Sequence, residues 1–209
     1  MPNQPARFVV LISGNGSNLQ AVMDACQAGR FNAQVVAVFS SKFDVYGLQR
    51  AARAGIPAIA VPKPKELDRQ IYDADLAERV AAFEPDCVLL LGWMRILTSA
   101  FLDRFHNRVI NLHPALPGTF PGTHAIERAF EAYQNREITY TGVMVHRVPD
   151  EGVDCGPVLG TEIVPIFPED CFETLEARVH QTEHHLLLNV LAELLIADQE
   201  QEICPILVN

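Results

Sequence analysis

The stretch FVVLISGNGSNLQAVMDAC, residues 8–26, decides the fold. Its first five residues are continuously apolar, as in a strand that is buried on both faces of a sheet. A turn-rich loop of Ser, Gly and Asn follows at residues 13–18. After the loop, apolar residues recur at the spacing of one helix face: Leu19, Val22, Met23 and Cys26. This strand, loop and helix form the first unit of an α/β fold.

The same alternation continues through the first half of the chain. We predict strands at residues 34–40, 56–61 and 87–91, and helices at residues 46–54 and 65–83. Continuous apolar strands that alternate with helices indicate a parallel sheet covered on both faces. This half is therefore predicted to be Rossmann-like.

The pattern changes after a further short strand at residues 108–112. Prolines and glycines crowd the next segment and predict an ordered loop, followed by a helix from a Thr123 cap to about residue 134. Two β-rich runs and a long helix come next, and a last edge strand or tail ends the chain: residues 139–148, 157–166, 171–196 and 202–207. The two runs are expected to pair antiparallel. The prediction is one domain, residues 1–209, of class α/β, with a mostly parallel central sheet, helices on both faces and antiparallel strands in the C-terminal half.

Charge and composition exclude several classes of protein. The 26 acidic residues outnumber the 16 basic ones, for a net charge of −10, which is the wrong sign for extended nucleic-acid binding or an anionic membrane surface. No apolar run reaches the roughly 18 residues that a membrane-spanning helix needs. The five cysteines are scattered, with no C-x-x-C pair and no zinc-like spacing with histidine. We expect a cytoplasmic protein with reduced thiols and no metal.

The glycine-rich loop at residues 13–18 is a candidate anion site. Free N–H groups at the start of a helix attract a phosphate. The loop is not a dinucleotide fingerprint, because Leu19 stands where the third glycine belongs, and it is not a Walker A loop. The alternative is an ordinary strand-to-helix turn with Ser17 or Asn18 as N-cap.

A second candidate is Asn111-Leu112-His113-Pro114, at the carboxyl end of a strand. The two-residue period of a strand puts the Asn111 and His113 side chains on one face, where an amide can stabilise an oxyanion and an imidazole can move a proton. If the loop at 149–156 folds over this face, Asp154 would pair with His113 and raise the pKa of the imidazole. The alternatives are a strand-end turn and an ordinary turn aspartate. His146 is interpreted as a hydrogen-bonded, partly buried histidine.

Two further segments carry polar groups in apolar surroundings. Arg95 lies in the turn at residues 92–97, where it makes either a surface ion pair or a contact with a flat ligand that has an acidic tail. His180 and Glu183 lie beside the buried stripe of the long last helix. They are ordinary helix-surface residues unless that helix passes the glycine-rich loop.

Together these segments resemble the folate-dependent formyltransferase family. The resemblance spans the chain in order: residues 13–20, 92–97 and 111–114, then Asp154 before Gly156-Pro157. It implies transfer of a formyl group from 10-formyltetrahydrofolate to the amine of glycinamide ribonucleotide in de novo purine biosynthesis. The amine would attack directly, through a tetrahedral intermediate, without a metal. Both substrates are small molecules, and no nucleic acid or membrane is implied.

The resemblance also implies a role for individual residues. Residues 1–107 would form the nucleotide-binding half and residues 108–209 the catalytic and folate-binding half. The ribonucleotide would contact Gly16, Ser17, Asn18, Leu19, Gln20 and Glu183. The folate would contact Arg69, Met94, Arg95, Ile96, Leu97 and Asn111. Asn111, His113 and Asp154 would carry the catalysis.

The chain departs from the family pattern at three places. The loop after His113, residues 114–118, reads PALPG and is shorter than the Ser-Leu-Leu-Pro form of many relatives. The stretch from His146 to Asp154 is one residue longer than expected, and His180 stands where Gln or Lys is expected. Other functions stay open: a 10-formyltetrahydrofolate deformylase or other folate enzyme, a non-catalytic phosphate-binding protein, and a metal-dependent hydrolase that uses His113, His146 and Asp154. Relatives that act on tRNA or deformylate folate are expected to carry an extra domain, for which 209 residues leave no room. Both a monomer and a homodimer are compatible with the sequence.

Overall fold

Seven strands form one sheet in the order β3-β2-β1-β4-β5-β6-β7 in the computed structural model, which describes residues 4–203, with side chains described to residue 196. The strands are β1 Ala6–Ile12, β2 Ala33–Ser40, β3 Ala58–Ala60, β4 Cys87–Leu90, β5 Val109–His113, β6 Tyr140–Arg147 and β7 Val158–Pro165. The first five strands are parallel, and β6 and β7 are antiparallel to their neighbours. The predicted mixed sheet is therefore confirmed.

Helices cover both faces of this sheet. They are α1 Ser17–Gln27, α2 Tyr46–Arg53, α3 Arg69–Ala81, α4 Ser99–Leu102, α5 Ala125–Gln134 and α6 Phe172–Ile203, with a 3₁₀ turn at Asp103–Phe105. A hydrophobic core lies on each face of the sheet. Alternate residues of β1 pack in different cores, because successive side chains of a strand point to opposite faces. Val10 packs with residues of α1 and α6 on one face, whereas Val9 packs with residues of α3 and α4 on the other.

The order of the strands reverses between β1 and β4. The chain runs outward from β1 through β2 to β3, then returns to β4 on the other side of β1. In open α/β sheets, ligands bind outside the carboxyl ends of the strands at such a point. The loops after β1, β4 and β5 all lie at this edge.

Several element boundaries differ from the predictions. β3 is shorter than 56–61, because Pro57 and Pro62 flank it and cannot donate ladder hydrogen bonds. Helix α3 begins at Arg69, not at residue 65, because the Asp68 side chain caps it by accepting hydrogen bonds from the N–H groups of residues 70 and 71.

The bounds of two later helices also differ from the predictions. Helix α5 has His124, not Thr123, in its N-cap position. Helix α6 continues past residue 196, so residues 202 and 203 of the predicted last strand are helical, and the rest of that segment lies outside the described residues. Over residues 4–203, no helix combines the length and the apolarity needed to cross a membrane.

Candidate functional site

The glycine-rich loop leads from β1 directly into α1, as predicted. Gly16 occupies the N-cap position in the left-handed conformation, at φ +74°, which a glycine adopts without strain. The alternative with Ser17 or Asn18 as cap is therefore wrong, because Ser17 is already the first helical residue. Since glycine has no capping side chain, the first N–H groups of α1 are left for solvent or for an anion.

Helix α2 holds this loop in place. A Cβ atom on Gly16 would lie 2.8 Å from the Cα of Gly47, and one on Gly47 would lie 2.3 Å from the Cδ1 of Ile12. Arg50 donates hydrogen bonds of 3.0 Å to both the backbone oxygen and the side-chain oxygen of Asn15. Gly47 and Arg50 were not predicted as part of the site, and their sequence signal is a glycine in the first turn of a helix.

Ser13 connects the loop to the turn that follows β4. Its Oγ lies 2.6 Å from the Oγ of Ser41 at the end of β2, and it accepts a 2.9 Å hydrogen bond from the N–H of Met94. Two segments that the sequence analysis singled out separately, 13–18 and 92–97, are therefore neighbours.

Helix α6 passes the glycine-rich loop and brings Glu183 to it. Glu183 is only 5% exposed, so it is not an ordinary helix-surface residue. Its Oε2 accepts a 3.2 Å hydrogen bond from the amide nitrogen of Asn18 and lies 2.7 Å from Nδ1 of His180. The hydrogen bond to Glu183 raises the pKa of His180, although burial opposes it.

The turn at 92–97 presents apolar side chains next to cations. Met94 is 61% exposed, and a pocket of about 350 Å³ beside it is lined by Lys63, Arg69, Tyr72, Asp73, Met94, Arg95 and Ile96. The guanidinium of Arg95 lies 5.3 Å from the centre of the Tyr72 ring, so a cation–π contact replaces the surface ion pair that was the alternative. Arg69 donates to the backbone oxygen of Ile96 at 3.3 Å. The pocket suits a ligand with an apolar body and an acidic end.

Asn111, His113 and Asp154 meet at the carboxyl end of β5. Nδ1 of His113 lies 3.3 Å from Oδ2 of Asp154, and the amide nitrogen of Asn111 donates a 3.0 Å hydrogen bond to Oδ1 of the same carboxylate. The loop at 149–156 therefore folds over the face that Asn111 and His113 share. Asp154 has φ +51°, in the left-handed region that aspartate tolerates better than most residues.

Asp154 raises the pKa of His113, as predicted, but the net shift of that pKa is downward. His113 is 4% exposed, and burial lowers its pKa by more than the Asp154 carboxylate raises it. The imidazole is therefore mainly neutral at pH 7. The pKa of Asp154 is also lowered: burial raises it, but hydrogen bonds and the nearby imidazoles outweigh burial. Asp154 is consequently ionised at pH 7.

The loop after His113 closes over these side chains. The N–H of Gly122 donates a 2.7 Å hydrogen bond to Oδ2 of Asp154, and the Phe120 carbonyl oxygen lies 3.1 Å from Nε2 of His113. Arg128 of α5 donates to the carbonyl oxygens of Phe120 and Pro121 at 2.7 and 2.6 Å. The sequence analysis missed Arg128, because a charged residue on a helix carries no sign of the loop it contacts.

His146 lies on β6 opposite Asn111 and is fully buried rather than partly buried, at 2% exposure. Its ring is satisfied, as expected, by Asn111 and by the Arg147 carbonyl. Within the part of the chain that is described, no group of three or more His, Cys, Asp or Glu side chains is arranged to hold a metal ion.

The fold and this edge define an α/β enzyme. A glycine-rich loop at a helix N-terminus, an apolar turn with cations, and an Asn, His and Asp cluster all lie at this edge of its sheet. The Formyl transferase family matches residues 6–191, and the chain belongs to that family.

Its relatives carry a more specific name. A phosphoribosylglycinamide formyltransferase of Schizosaccharomyces pombe is 45% identical over 202 residues, which cover 91% of this chain and 97% of that protein. The Escherichia coli protein of the same name is 42% identical over 85% of this chain and 81% of its own length. The crystal structure of glycinamide ribonucleotide transformylase 1 from Symbiobacterium toebii superposes with a TM-score of 0.84 at 39% identity, over 90% of this chain and 86% of that one.

Proposed function

We propose that this chain is a phosphoribosylglycinamide formyltransferase. It transfers the formyl group of 10-formyltetrahydrofolate to the amine of glycinamide ribonucleotide, a step of purine biosynthesis. The observation that carries the proposal is the convergence of Asn111, His113 and Asp154 at the sheet edge that also carries the glycine-rich loop and an apolar, cationic pocket. The membership of the formyl transferase family supports it.

The glycine-rich loop is the proposed site of the ribonucleotide. Residues 16–19 offer the first N–H groups of α1 to the phosphate, and the positive end of the helix dipole favours its charge. Gln20, whose own N–H is bonded to the Gly16 carbonyl, would contact the ribonucleotide through its side chain. Glu183, anchored beside the loop by Asn18, is the proposed acceptor for the ribose hydroxyl groups. This assignment leaves the amine of the substrate free to reach the end of β5.

The turn at 92–97 is the proposed site of the folate. The pterin and benzoyl rings would contact the turn of residues 94–97 and the side chain of Asn111, and the acidic tail would reach Arg69 and Arg95. The exposed Met94 side chain and the cationic pocket beside it fit a molecule of that shape. When bound, the folate supplies the formyl group on its N10 atom.

The proposed chemistry replaces one carbon–nitrogen bond by another. The amine nitrogen bonds to the formyl carbon, the bond to N10 of the folate breaks, and one proton passes from the amine to N10. Asn111 and His113 would donate hydrogen bonds to the formyl oxygen as negative charge develops there, and that charge would raise the pKa of His113 so that it binds a proton. Asp154, ionised in the free protein, would accept the proton of the amine through a water molecule and relay it through the same water to N10 as the bond to N10 breaks. The proton on His113 would come from solvent and return to it when the formyl oxygen loses its negative charge.

The rate enhancement would have two sources: positioning of the two substrates and stabilisation of the negative charge on the formyl oxygen. Holding both substrates in line removes part of the entropic barrier, and each donor to the oxyanion contributes about 10²–10³-fold. In the free protein, both hydrogens of the Asn111 amide nitrogen are used, toward His146 and Asp154. Asn111 must therefore exchange one of these bonds to reach the formyl oxygen.

A spectrophotometric assay of tetrahydrofolate release tests the proposal. We expect release from 10-formyltetrahydrofolate only when glycinamide ribonucleotide is present, with formylated ribonucleotide as the second product. Release without the amine would identify a deformylase and overturn the proposal. Binding of both compounds without any release would identify a non-catalytic binding protein.

A further inference from the structure

His146 is buried at the site without a part in the proposed chemistry. It lies on β6, where the antiparallel ladder pairs it with Asn111 of β5. The pairing of β6 with β7 shifts register between Val145 and His146. The extra residue, Leu159, lies on β7 opposite this point, and β-bulges are frequent next to active sites.

The two ring nitrogens of His146 have different partners. Nδ1 lies 2.8 Å from the carbonyl oxygen of Arg147, which only accepts hydrogen bonds, so Nδ1 carries a hydrogen. Nε2 lies 3.0 Å from the amide nitrogen of Asn111, which only donates. Nε2 is therefore the acceptor in this pair and carries no hydrogen.

The alternative protonation of His146 conflicts with this geometry. A hydrogen on Nε2 would oppose the N–H of Asn111 at 3.0 Å. Nε2 lies 3.6 Å from Oδ1 of Asp154, within reach of an ion pair but beyond hydrogen-bond distance, and Asn111 already donates to that oxygen at 3.0 Å. His113, Asp154 and Arg128 are the other titratable or charged groups around this cluster.

The Asn111 amide is held by these two acceptors. One N–H points to Nε2 of His146 and the other to Oδ1 of Asp154. The reverse amide orientation would put the carbonyl oxygen of Asn111 against a carboxylate oxygen and an imidazole lone pair, which is repulsive. His146 and Asp154 together therefore fix which end of the amide is available.

We propose that His146 is a positioning residue that keeps the N–H end of the Asn111 amide turned to the reacting groups. The inference rests on the proposed function of Asn111. When the formyl group binds, one N–H of Asn111 exchanges its hydrogen bond to Asp154 for one to the formyl oxygen. The other N–H stays hydrogen-bonded to His146, which prevents the amide from flipping. His146 itself touches no substrate.

Two substitutions separate this role from simple packing. His146→Gln keeps an acceptor oxygen, whereas His146→Leu fills the space without one. In His146→Leu, one N–H of Asn111 would be buried without an acceptor, so the amide would no longer be held in one orientation. We therefore expect this variant to lower kcat about 10-fold or more. The same variant should leave the KM for glycinamide ribonucleotide within about twofold, and His146→Gln should retain kcat within about threefold. Wild-type turnover in His146→Leu, or an equal loss in both variants, would overturn the proposal.

An NMR measurement on the wild-type protein tests the inference without activity. Long-range ¹H–¹⁵N correlation spectra distinguish the two neutral tautomers of a histidine, and the signals of His146 are assigned by their loss in His146→Gln. We expect the tautomer with hydrogen on Nδ1. The Nε2 tautomer would overturn the inference even if the variants failed to fold. Absence of formyl transfer in the wild type would contradict the proposed function alone, because the tautomer does not depend on it.

Discussion

Nδ1 of His113 lies 3.3 Å from Oδ2 of Asp154, inside a site where both side chains are largely shielded from water. The carboxylate raises the pKa of the imidazole, but burial lowers it by more. The pair therefore rests as a neutral histidine beside an ionised aspartate. Such a pair can take up one proton when negative charge appears next to the histidine.

The first prediction concerns Asp154→Asn. We expect kcat to fall by about 10²–10⁴-fold, because the variant lacks the proposed proton acceptor, while the KM for the ribonucleotide changes by less than about threefold. The pKa of His113 should fall further, because the carboxylate that raises it is gone. Steady-state kinetics and an NMR titration of the histidines measure both effects. A rise in the pKa of His113, or unchanged turnover, would contradict the assignment of Asp154.

The parallel part of the central sheet could be predicted from the sequence because its strands are mainly apolar. The positions of β1, β2, β4 and β5 were predicted to within one or two residues, since parallel strands buried on both faces leave continuous hydrophobic runs. The first turn of α3 could not be placed by periodicity, because the capping side chain of Asp68 decides where that helix starts. Local hydrogen bonding, rather than hydrophobicity, sets such boundaries.

The candidate site was only partly visible in the sequence. The two-residue period placed Asn111 and His113 together, but the contact between Asn18 and Glu183 joins residues far apart in the chain and depends on where α6 packs. The sequence predicted that Asp154 raises the pKa of His113, but not that burial lowers this pKa by more. Burial is a property of the folded chain, and here it exceeds the effect of the nearest charge.

The second prediction concerns the close contact between the glycine-rich loop and α2. In Gly47→Ala, the new Cβ would approach Cδ1 of Ile12 and the backbone oxygen of Gly14, at 2.3 and 3.1 Å. We expect a loss of about 1–3 kcal/mol in unfolding free energy. The KM for the ribonucleotide should also rise, because the loop must move. Gly14→Ala is the matched control, since a Cβ there meets nothing within 4 Å. Equal stability of the two variants in urea unfolding would count against the packing argument.

The third prediction follows from the pKa of His180, which its hydrogen bond to Glu183 raises. A group whose pKa is raised on folding contributes stability that is complete below its unfolded pKa, about 6.5, and is lost as the pH rises through the folded value. We therefore expect the difference in Tm between wild type and His180→Gln to be largest in mild acid and to shrink toward alkaline pH. Thermal unfolding by circular dichroism across this pH range measures it.

His184 provides the control for this experiment, because its pKa is shifted in the opposite direction to that of His180. Burial lowers its pKa, so its contribution to stability is lost as the pH falls and is complete above the unfolded pKa. The difference in Tm between wild type and His184→Gln should therefore grow with pH. Parallel behaviour of the two variants would show that Glu183 does not govern the titration of His180.

The last prediction concerns Arg128, which fastens the loop after His113. Its guanidinium donates to the carbonyl oxygens of Phe120 and Pro121, and the same loop supplies the N–H of Gly122 to Asp154. In Arg128→Gln we expect about a 10-fold lower kcat, since a misplaced loop no longer orients the carboxylate. Amide hydrogens of residues 115–124 should exchange faster, whereas those of β1 should not change. Arg104→Gln removes the same charge from an exposed 3₁₀ turn and serves as the control. If kcat falls while the amide hydrogens of residues 115–124 exchange as slowly as in the wild type, the charge of Arg128 matters for turnover and its hydrogen bonds to the loop do not.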